Sequence, residues 1–307
     1  MTPSAAHFGK VAVILGGRSA EREVSLKSGG AVLHSLRARG VDAHGFDPAE
    51  NDFAAFMRRH FDRAFIALHG RFGEDGTLQG AFETIGLPYT GSGVAASALA
   101  LDKWRSKLVF QASGIATPRF VLATDAQAAE NALKHFGLPL VVKPANEGSS
   151  IGVSIVREAA HLAAAIAAAQ VHDAVVLIEE FCAGAELTVG VLGRRALPVI
   201  RLETPRTFYD YQAKYLADDT RYLIPSGLGE AADQQVQTLA MAAFDAVGAR
   251  GWGRVDLMLD AAGRGLVLEV NTVPGMTDHS LVTMAARAAG IEMEQLVWEI
   301  LAQTLTP

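Results

Sequence analysis

Gly253-Arg-Val-Asp-Leu-Met-Leu259, Asp260-Ala-Ala-Gly-Arg264 and Gly265-Leu-Val-Leu-Glu-Val-Asn271 read consecutively as strand, turn and strand, a hairpin reversing near Ala262 and Gly263. Folding the chain there sets Asp256 directly opposite Glu269. Alternation along a strand places Arg254 and Asp256 on one face and Glu269 and Asn271 on the matching face of the partner, with Val255, Leu257, Leu268 and Val270 on the other. Opposed carboxylates whose Cβ atoms lie about 5 Å apart destabilise a sheet unless a cation or a proton comes between them. Two carboxylates and an amide oxygen suit Mg²⁺ or Mn²⁺ and not zinc, which recruits His or Cys. An ion pair with Arg254, or a solvated sheet face, answers the same repulsion, and the spacing alone does not separate these readings.

Leu187 to Leu192 and Leu197 to Leu202 are the other strands expected in this second sheet, which begins after Gly184. Between them and the hairpin lies 203–229, rich in Pro, Tyr, Asp and Gly and expected to be a long loop. Its stretch Thr207-Phe-Tyr-Asp-Tyr-Gln-Ala-Lys-Tyr215 carries three tyrosines and Lys214. A segment of that length and composition suits a lid that excludes water from a reactive phosphate.

Upstream, Leu138 to Lys143 and Gly152 to Val156 read as strands, followed by a helix over 158–170 and a strand from Val175 to Glu179, a small α+β unit. Lys143 closes an apolar strand, and Glu147-Gly-Ser-Ser-Ile-Gly152 after it offers backbone donors and hydroxyls that can wrap phosphates. No Gly-Lys-Ser/Thr opens a helix there, so this is not a Walker P-loop, and a plain turn fits the same residues. Lys103, near the start of a helix running from Asp102 to Gly114, is either a phosphate ligand or a surface charge. Glu179-Glu-Phe-Cys182 and then Glu186 form a strand end suited to a hinge, with backbone groups for a base and a carboxylate for ribose hydroxyls.

Lys10 to Leu15 is a continuous apolar run closed by Gly16 and Gly17, as in a buried parallel strand. A helix from about Glu23 to Arg39 and a second apolar run, Ala64 to Leu68, ending at His69-Gly70, give strand, helix, strand. Ligands bind beyond the carboxyl ends of such strands, so Gly16 to Glu21 and His69 to Asp75 are expected to share one crevice. No G-x-G-x-x-G reads through the first turn, which disfavours a nicotinamide cofactor. The fold class is therefore α/β followed by α+β, in units 1–100, 101–184 and 185–307.

A chain of 307 residues holds two or three such units. Half the residues are hydrophobic and 20% charged, which argues for full folding. A net charge of −6 without a dense Lys/Arg cluster leaves no footprint for nucleic acid. The single cysteine, Cys182, cannot form an internal disulfide, consistent with a reducing compartment. No signal peptide reads at the N-terminus, and the alanine-rich 157–171 is too short to cross a bilayer, so a soluble cytoplasmic protein with no membrane partner is expected.

With these residues in place, the sequence closely resembles the D-alanine:D-alanine ligases of the ATP-grasp superfamily over almost its whole length. The resemblance rests on Leu15-Gly-Gly-Arg-Ser-Ala-Glu-Arg-Glu-Val-Ser25, Ala67-Leu-His-Gly-Arg-Phe-Gly-Glu-Asp-Gly76, Lys143-Pro-Ala-Asn-Glu-Gly-Ser-Ser150, Tyr209-Asp-Tyr-Gln-Ala-Lys-Tyr215, and Gly253-Arg-Val-Asp256 with Glu269-Val-Asn-Thr-Val-Pro-Gly-Met-Thr277. It implies an ATP-grasp fold with an N-terminal Rossmann-like domain, a small central domain and a C-terminal mixed-sheet domain. It implies further that ATP phosphorylates one D-alanine and that the amine of a second attacks the acyl phosphate, yielding the dipeptide for peptidoglycan precursors, ADP and phosphate.

By the same resemblance Lys103, Lys143 and Lys214 contact phosphates, as does the loop with Glu147, Ser149 and Ser150. Glu179 and the backbone of Glu180 and Cys182 meet adenine, Glu186 the ribose, and Asp256, Glu269 and Asn271 hold two Mg²⁺ or Mn²⁺ ions. Arg254 and the Gly275 N–H would stabilise the oxyanion. Glu21 would bind the first ammonium group, with Ser149 and Tyr215 linking it to the lid. Ser280 and the backbone of Leu281 would seat the second carboxylate, with His69 assisting deprotonation of the second amine. Tyr215 matches the dipeptide-forming members and not those making an ester, and a homodimer through the N-terminal part is implied.

Overall fold

The computed structural model describes residues 3–204 and 220–305. Near the N-terminus β1 (Lys10–Ile14), β2 (Asp42–Phe46) and β3 (Arg63–Ile66) form a parallel sheet in the order β2-β1-β3. Val11 to Ile14 are all buried, the signature of a strand covered on both faces. The helix Arg22–Ala38 makes the crossover from β1 to β2. Its buried positions Ser25, Ser28, Gly29, Val32, Ser35 and Leu36 follow helical spacing.

Next come β4 (Phe120–Leu122), β5 (Leu140–Pro144), β6 (Ser154–Val156) and β7 (Val176–Glu180), an antiparallel sheet ordered β4-β7-β5-β6. The helices Ala126–Phe136 and Leu162–Gln170 bury Ala132, Leu162, Ala165 and Ala169 against its Leu140, Val142, Val156 and Ile178. Asp125 starts the first of these helices by accepting the Ala128 N–H at 2.8 Å.

The third sheet holds β8 (Glu186–Leu192), β9 (Arg195–Ala196), β10 (Ile200–Glu203), β11 (Arg221–Leu223), β12 (Trp252–Leu259) and β13 (Gly265–Asn271), ordered β11-β10-β8-β12-β13 with β9 on β8. Its pairs are antiparallel. The helix Glu230–Ala246 covers one face through Val236, Ala240, Ala243 and Phe244. Two expectations change here. The strand expected over Leu197 to Leu202 begins only at Ile200, after Pro198, which has no N–H to give a ladder. Residues 221–223, expected inside the long loop, pair with β10 as an edge strand.

The hairpin carries a further correction. β12 and β13 pair Arg254 with Asn271, Val255 with Val270 and Asp256 with Glu269, as the alternation predicts, but Leu257 then pairs with Val267. Leu268 is the extra residue of a β-bulge, which shifts the alternation by one. Val267 therefore joins Val255, Leu257 and Val270 in the core, while Leu268, expected on that apolar face, turns to the polar side and lines the large cavity described below.

The C-terminal helices Leu281–Ala288 and Met293–Ala302 pack on β8 and on the helix Arg22–Ala38 respectively, and belong to the hydrophobic core that includes the first sheet. Phe8 meets Trp298 edge to face, with ring centroids 4.8 Å apart. Among the described residues no helix is long and apolar enough to cross a membrane.

Candidate active site

A cavity of about 540 Å³ opens beside the second and third sheets, with Lys143, Glu179, Glu186, Asp256, Leu268 and Glu269 in its lining. On its hairpin wall the Asp256 carboxylate accepts from Arg254 Nε and Nη2 at 2.8 and 2.6 Å, from Thr188 Oγ1 at 2.7 Å and from Asn271 Nδ2 at 3.0 Å. Opposite it, Lys103 Nζ lies 3.1 Å from Glu269 Oε2 and donates to the Glu147 carbonyl at 2.6 Å. Of the answers left open for the opposed carboxylates, the structure realises ion pairs, Arg254 on Asp256 and Lys103 on Glu269 among the described residues. Burial lowers the Lys103 pKa, but Glu269, Glu179 and Glu21 outweigh it and hold the ammonium above its ordinary range.

The donor set suits a hard divalent cation. Asp256, Glu269 and Asn271 are oxygen donors sharing one face, and the amide nitrogen of Asn271 is engaged on Asp256 while its oxygen is the potential ligand atom. Among the described residues no group of three or more His, Cys, Asp or Glu could hold a metal ion. A cation here would rest on two carboxylates and an amide, with phosphate and water completing the shell, the usual mode for Mg²⁺.

Glu179 is buried between two lysines, with Lys143 Nζ 2.8 Å from Oε2 and Lys107 Nζ 3.3 Å from Oε1. Burial pushes its carboxyl up, but the two ammonium groups prevail and hold it below the ordinary range. Both carboxylate oxygens are thus held by ammonium groups, on a residue that lines the cavity. Glu180 is held from behind by Arg119 Nε at 2.6 Å, and Cys182 lines the same edge, its thiol pushed up by burial to about 11 and hence inert at neutral pH.

The loop 147–152 is turned by Ser149 and Ser150, both in the left-handed region at φ 51° and 60°. Ser149 donates to Glu21, and the loop packs so closely that a Cβ on Gly148 would sit 3.0 Å from Glu21 Oε2. Across from it, a Cβ on Gly70 would come within 2.8 Å of the same oxygen. Ser19 Oγ donates to the His69 carbonyl at 2.8 Å, so the two loops expected to share a crevice meet. They border a second cavity of about 440 Å³ that also touches Glu147 and Gly148.

Downstream of β13, Ser280 caps the region of Gly275, where a Cβ would lie 2.8 Å from Ser280 Oγ, and Leu281 opens the following helix. His69 is buried in the same place, with Nδ1 2.8 Å from the Val273 carbonyl and Nε2 2.9 Å from Ser28 Oγ. Burial, set against the nearby Glu21, lowers its pKa. Lys214 and Tyr215 lie outside the described residues.

Comparison with known proteins gives this arrangement its context. Residues 109–302 match the family described as D-ala D-ala ligase C-terminus, and residues 41–92 match D-ala D-ala ligase N-terminus. The D-alanine--D-alanine ligase of Nitrosospira multiformis is 57% identical over 294 residues, spanning 96% of each chain. The chain belongs to the D-alanine--D-alanine ligase family. The ligase of Aromatoleum aromaticum is 58% identical over 296 residues, again spanning 96% of both chains. Among solved structures, the D-alanine--D-alanine ligase from Bacillus anthracis complexed with ATP superposes with a TM-score of 0.85 at 31% identity, covering 96% of this chain and 97% of that one. The VanG D-Ala:D-Ser ligase from Enterococcus faecalis gives 0.82 at 30% identity, over 97% and 99%. The architecture is thus that of ATP-grasp ligases.

Three residues of this ligase site escaped the sequence reading. Thr188 and Ser28 are single hydroxyls with no motif around them. Lys107 stands four residues after Lys103 in the helix Lys103–Ala112, and that i,i+4 spacing on one face was the available signal.

Proposed function

We infer that this chain is an ADP-forming ligase that uses ATP to join two D-alanines into D-alanyl-D-alanine through a D-alanyl phosphate, for peptidoglycan precursor synthesis. The observation that carries the reading is the opposed Asp256 and Glu269, each neutralised by a cation, on the wall of a cavity that also holds Lys143 and the loop 147–152. Phosphoryl transfer needs charge neutralisation and in-line positioning more than a protein nucleophile.

ATP lies in this cavity, its base at the edge formed by Glu179 and the backbone of Glu180 and Cys182, and its ribose at Glu186. Lys103, Lys143 and Lys214 meet the phosphates with the loop of Glu147, Ser149 and Ser150. Asp256, Glu269 and Asn271 hold two Mg²⁺ or Mn²⁺ ions, which when bound supply charge neutralisation for the γ-phosphate. Arg254 and Lys103, which pair with these carboxylates, would face the transferring phosphoryl group. The first D-alanine places its ammonium on Glu21, oriented by Ser149 and Tyr215, and the second rests its carboxylate on Ser280 and the Leu281 N–H, with Arg254 and the Gly275 N–H toward the oxyanion.

In this reading 1–100, 101–184 and 185–307 are the functional units, 203–229 contains the lid, and the protein works in the cytoplasm as a homodimer without nucleic acid or membrane partners. The likeness to a D-Ala:D-Ser ligase raises the acceptor as the point to test. Incubation with ATP, Mg²⁺ and D-alanine alone, or with D-serine or D-lactate added, should give D-alanyl-D-alanine as the dominant product by mass spectrometry. A mixed product formed in preference, or ATP consumption without any dipeptide, overturns the reading.

A further inference from the structure

Ser28 is fully buried on the inner face of the helix Arg22–Ala38, between Val24 and Val32 in sequence. A hydroxyl there needs partners, because an unpaired one costs about 1–3 kcal/mol. Its partners come from two distant segments. Oγ accepts the Met276 N–H at 3.1 Å and lies 2.9 Å from His69 Nε2.

For a neutral His69 the direction of each bond in this group follows by elimination. His69 Nδ1 lies 2.8 Å from the Val273 carbonyl, which can only accept, so Nδ1 carries a proton. The ring is buried, which favours its neutral form, so Nε2 is left with a lone pair and the Ser28 hydroxyl donates to it. Met276 donates to Ser28, Ser28 to His69, and His69 to Val273. The segment Val273-Pro-Gly-Met276 is thereby tied at its first carbonyl and its last amide to the same two side chains. Gly275 lies inside this clamp, with the position of a Cβ 4.0 Å from Ser28 Oγ and 2.8 Å from Ser280 Oγ.

We propose that Ser28 is a positioning residue for the ligation: acting with a neutral His69, it clamps residues 273–276 from both ends and so sets the Gly275 N–H and the Ser280 seat for the second amino acid. His69 then serves as a link in the clamp and not as the acceptor of a proton from the second amine, because its free lone pair is already engaged by Ser28. The charged groups around the ring are Glu21, from the loop before the helix, and Arg254, from β12. Neither makes a hydrogen bond to its nitrogens. This inference rests on the ligase reading for the meaning of the clamp, but not for its existence.

Two measurements on the full-length protein test it. The first is ¹⁵N-edited NMR of the histidine side chains at neutral pH, with His69→Gln identifying the His69 signals. The neutral Nδ1–H form is expected, and an Nε2–H tautomer or an imidazolium overturns the clamp whether or not the protein is a ligase. The second is kinetic. Ser28→Ala is expected to lower kcat/KM for the acceptor D-alanine about tenfold, the size of one lost hydrogen bond, with KM for ATP unchanged. The Ser28→Ala/His69→Gln double variant should be no worse than His69→Gln alone, since both act through one clamp. Wild-type kinetics in Ser28→Ala, a rise in KM for ATP of the same size, or fully additive losses would overturn it. Absence of dipeptide from the wild type would count against the ligase reading, and the tautomer would still decide the clamp.

Discussion

Charge placement at single residues governs the nucleotide cavity. Lys107 has no exposed side-chain surface, and burial, only partly offset by Glu179, pushes its ammonium down to about 8. In the unfolded chain the same group titrates near 10.5. Between those two values the unfolded state binds the extra proton, so stability from this residue is lowest below pH 8 and rises as pH climbs toward 10.5. The unfolding free energy of the wild type, measured against Lys107→Met by urea denaturation, should therefore increase by on the order of 3 kcal/mol from pH 7.5 to 10.5. A pH-independent difference would contradict it. Lys143 is legible as a candidate because it closes an apolar strand before the loop 147–152, whereas Lys103, near a helix start, gains its phosphate role only from the family resemblance. Lys107 and Ser28 are not legible, because a lone polar residue on a helix acquires its meaning only when the packing direction of that helix is known.

Among the elements, the β12–β13 hairpin shows both what periodicity can carry and where it stops. The turn at Ala262 and Gly263 fixes the register, and with it the pairing of Asp256 with Glu269. The bulge at Leu268 inserts a residue without changing composition, so strict alternation placed that side chain on the wrong face and passed over Val267. Packing behind the hairpin is equally specific. A Cβ on Gly253 would come 2.6 Å from Phe244 and 2.8 Å from the Asn271 carbonyl. Gly253→Ala should destabilise the protein by about 1–3 kcal/mol by forcing the helix Glu230–Ala246 off the sheet, read as a lower urea midpoint. An unchanged midpoint would mean that the helix yields freely. Turn signals and apolar runs revealed the main strands, whereas β11 is only three residues long and gave no such pattern.

On the scale of the whole molecule, the site is assembled from segments far apart in sequence: loops after β1 and β3, the loop between β5 and β6, and the hairpin with the turn that follows it. The first contacts between them differ in kind. Arg71 Nη2 pairs with Glu147 at 2.9 Å, but the arginine is more than half exposed. Exposed pairs contribute at most about 1 kcal/mol, so Arg71→Ala should shift the melting temperature by no more than about 3 °C. A larger drop would assign this pair a structural role. The Ser149–Glu21 contact is instead part-buried and sits in the site itself. Sequence motifs anticipated which loops converge, since ligands gather at strand ends of α/β sheets. They did not anticipate that Leu281–Ala288 packs on β8 and Met293–Ala302 on the helix Arg22–Ala38, because apolar helical spacing does not say which surface it will cover.

In the ligase reading, the paired carboxylates of the hairpin serve D-alanine-dependent turnover of ATP. The most direct test is the rate of phosphate release from ATP and Mg²⁺, with and without D-alanine, for the wild type, Asp256→Ala and Glu269→Ala, each first shown to be folded by circular dichroism. Release is expected to require D-alanine, to match dipeptide formation one to one, and to fall by at least about a hundredfold in both variants. Phosphate release indifferent to D-alanine, or variants that retain wild-type rates, would contradict it.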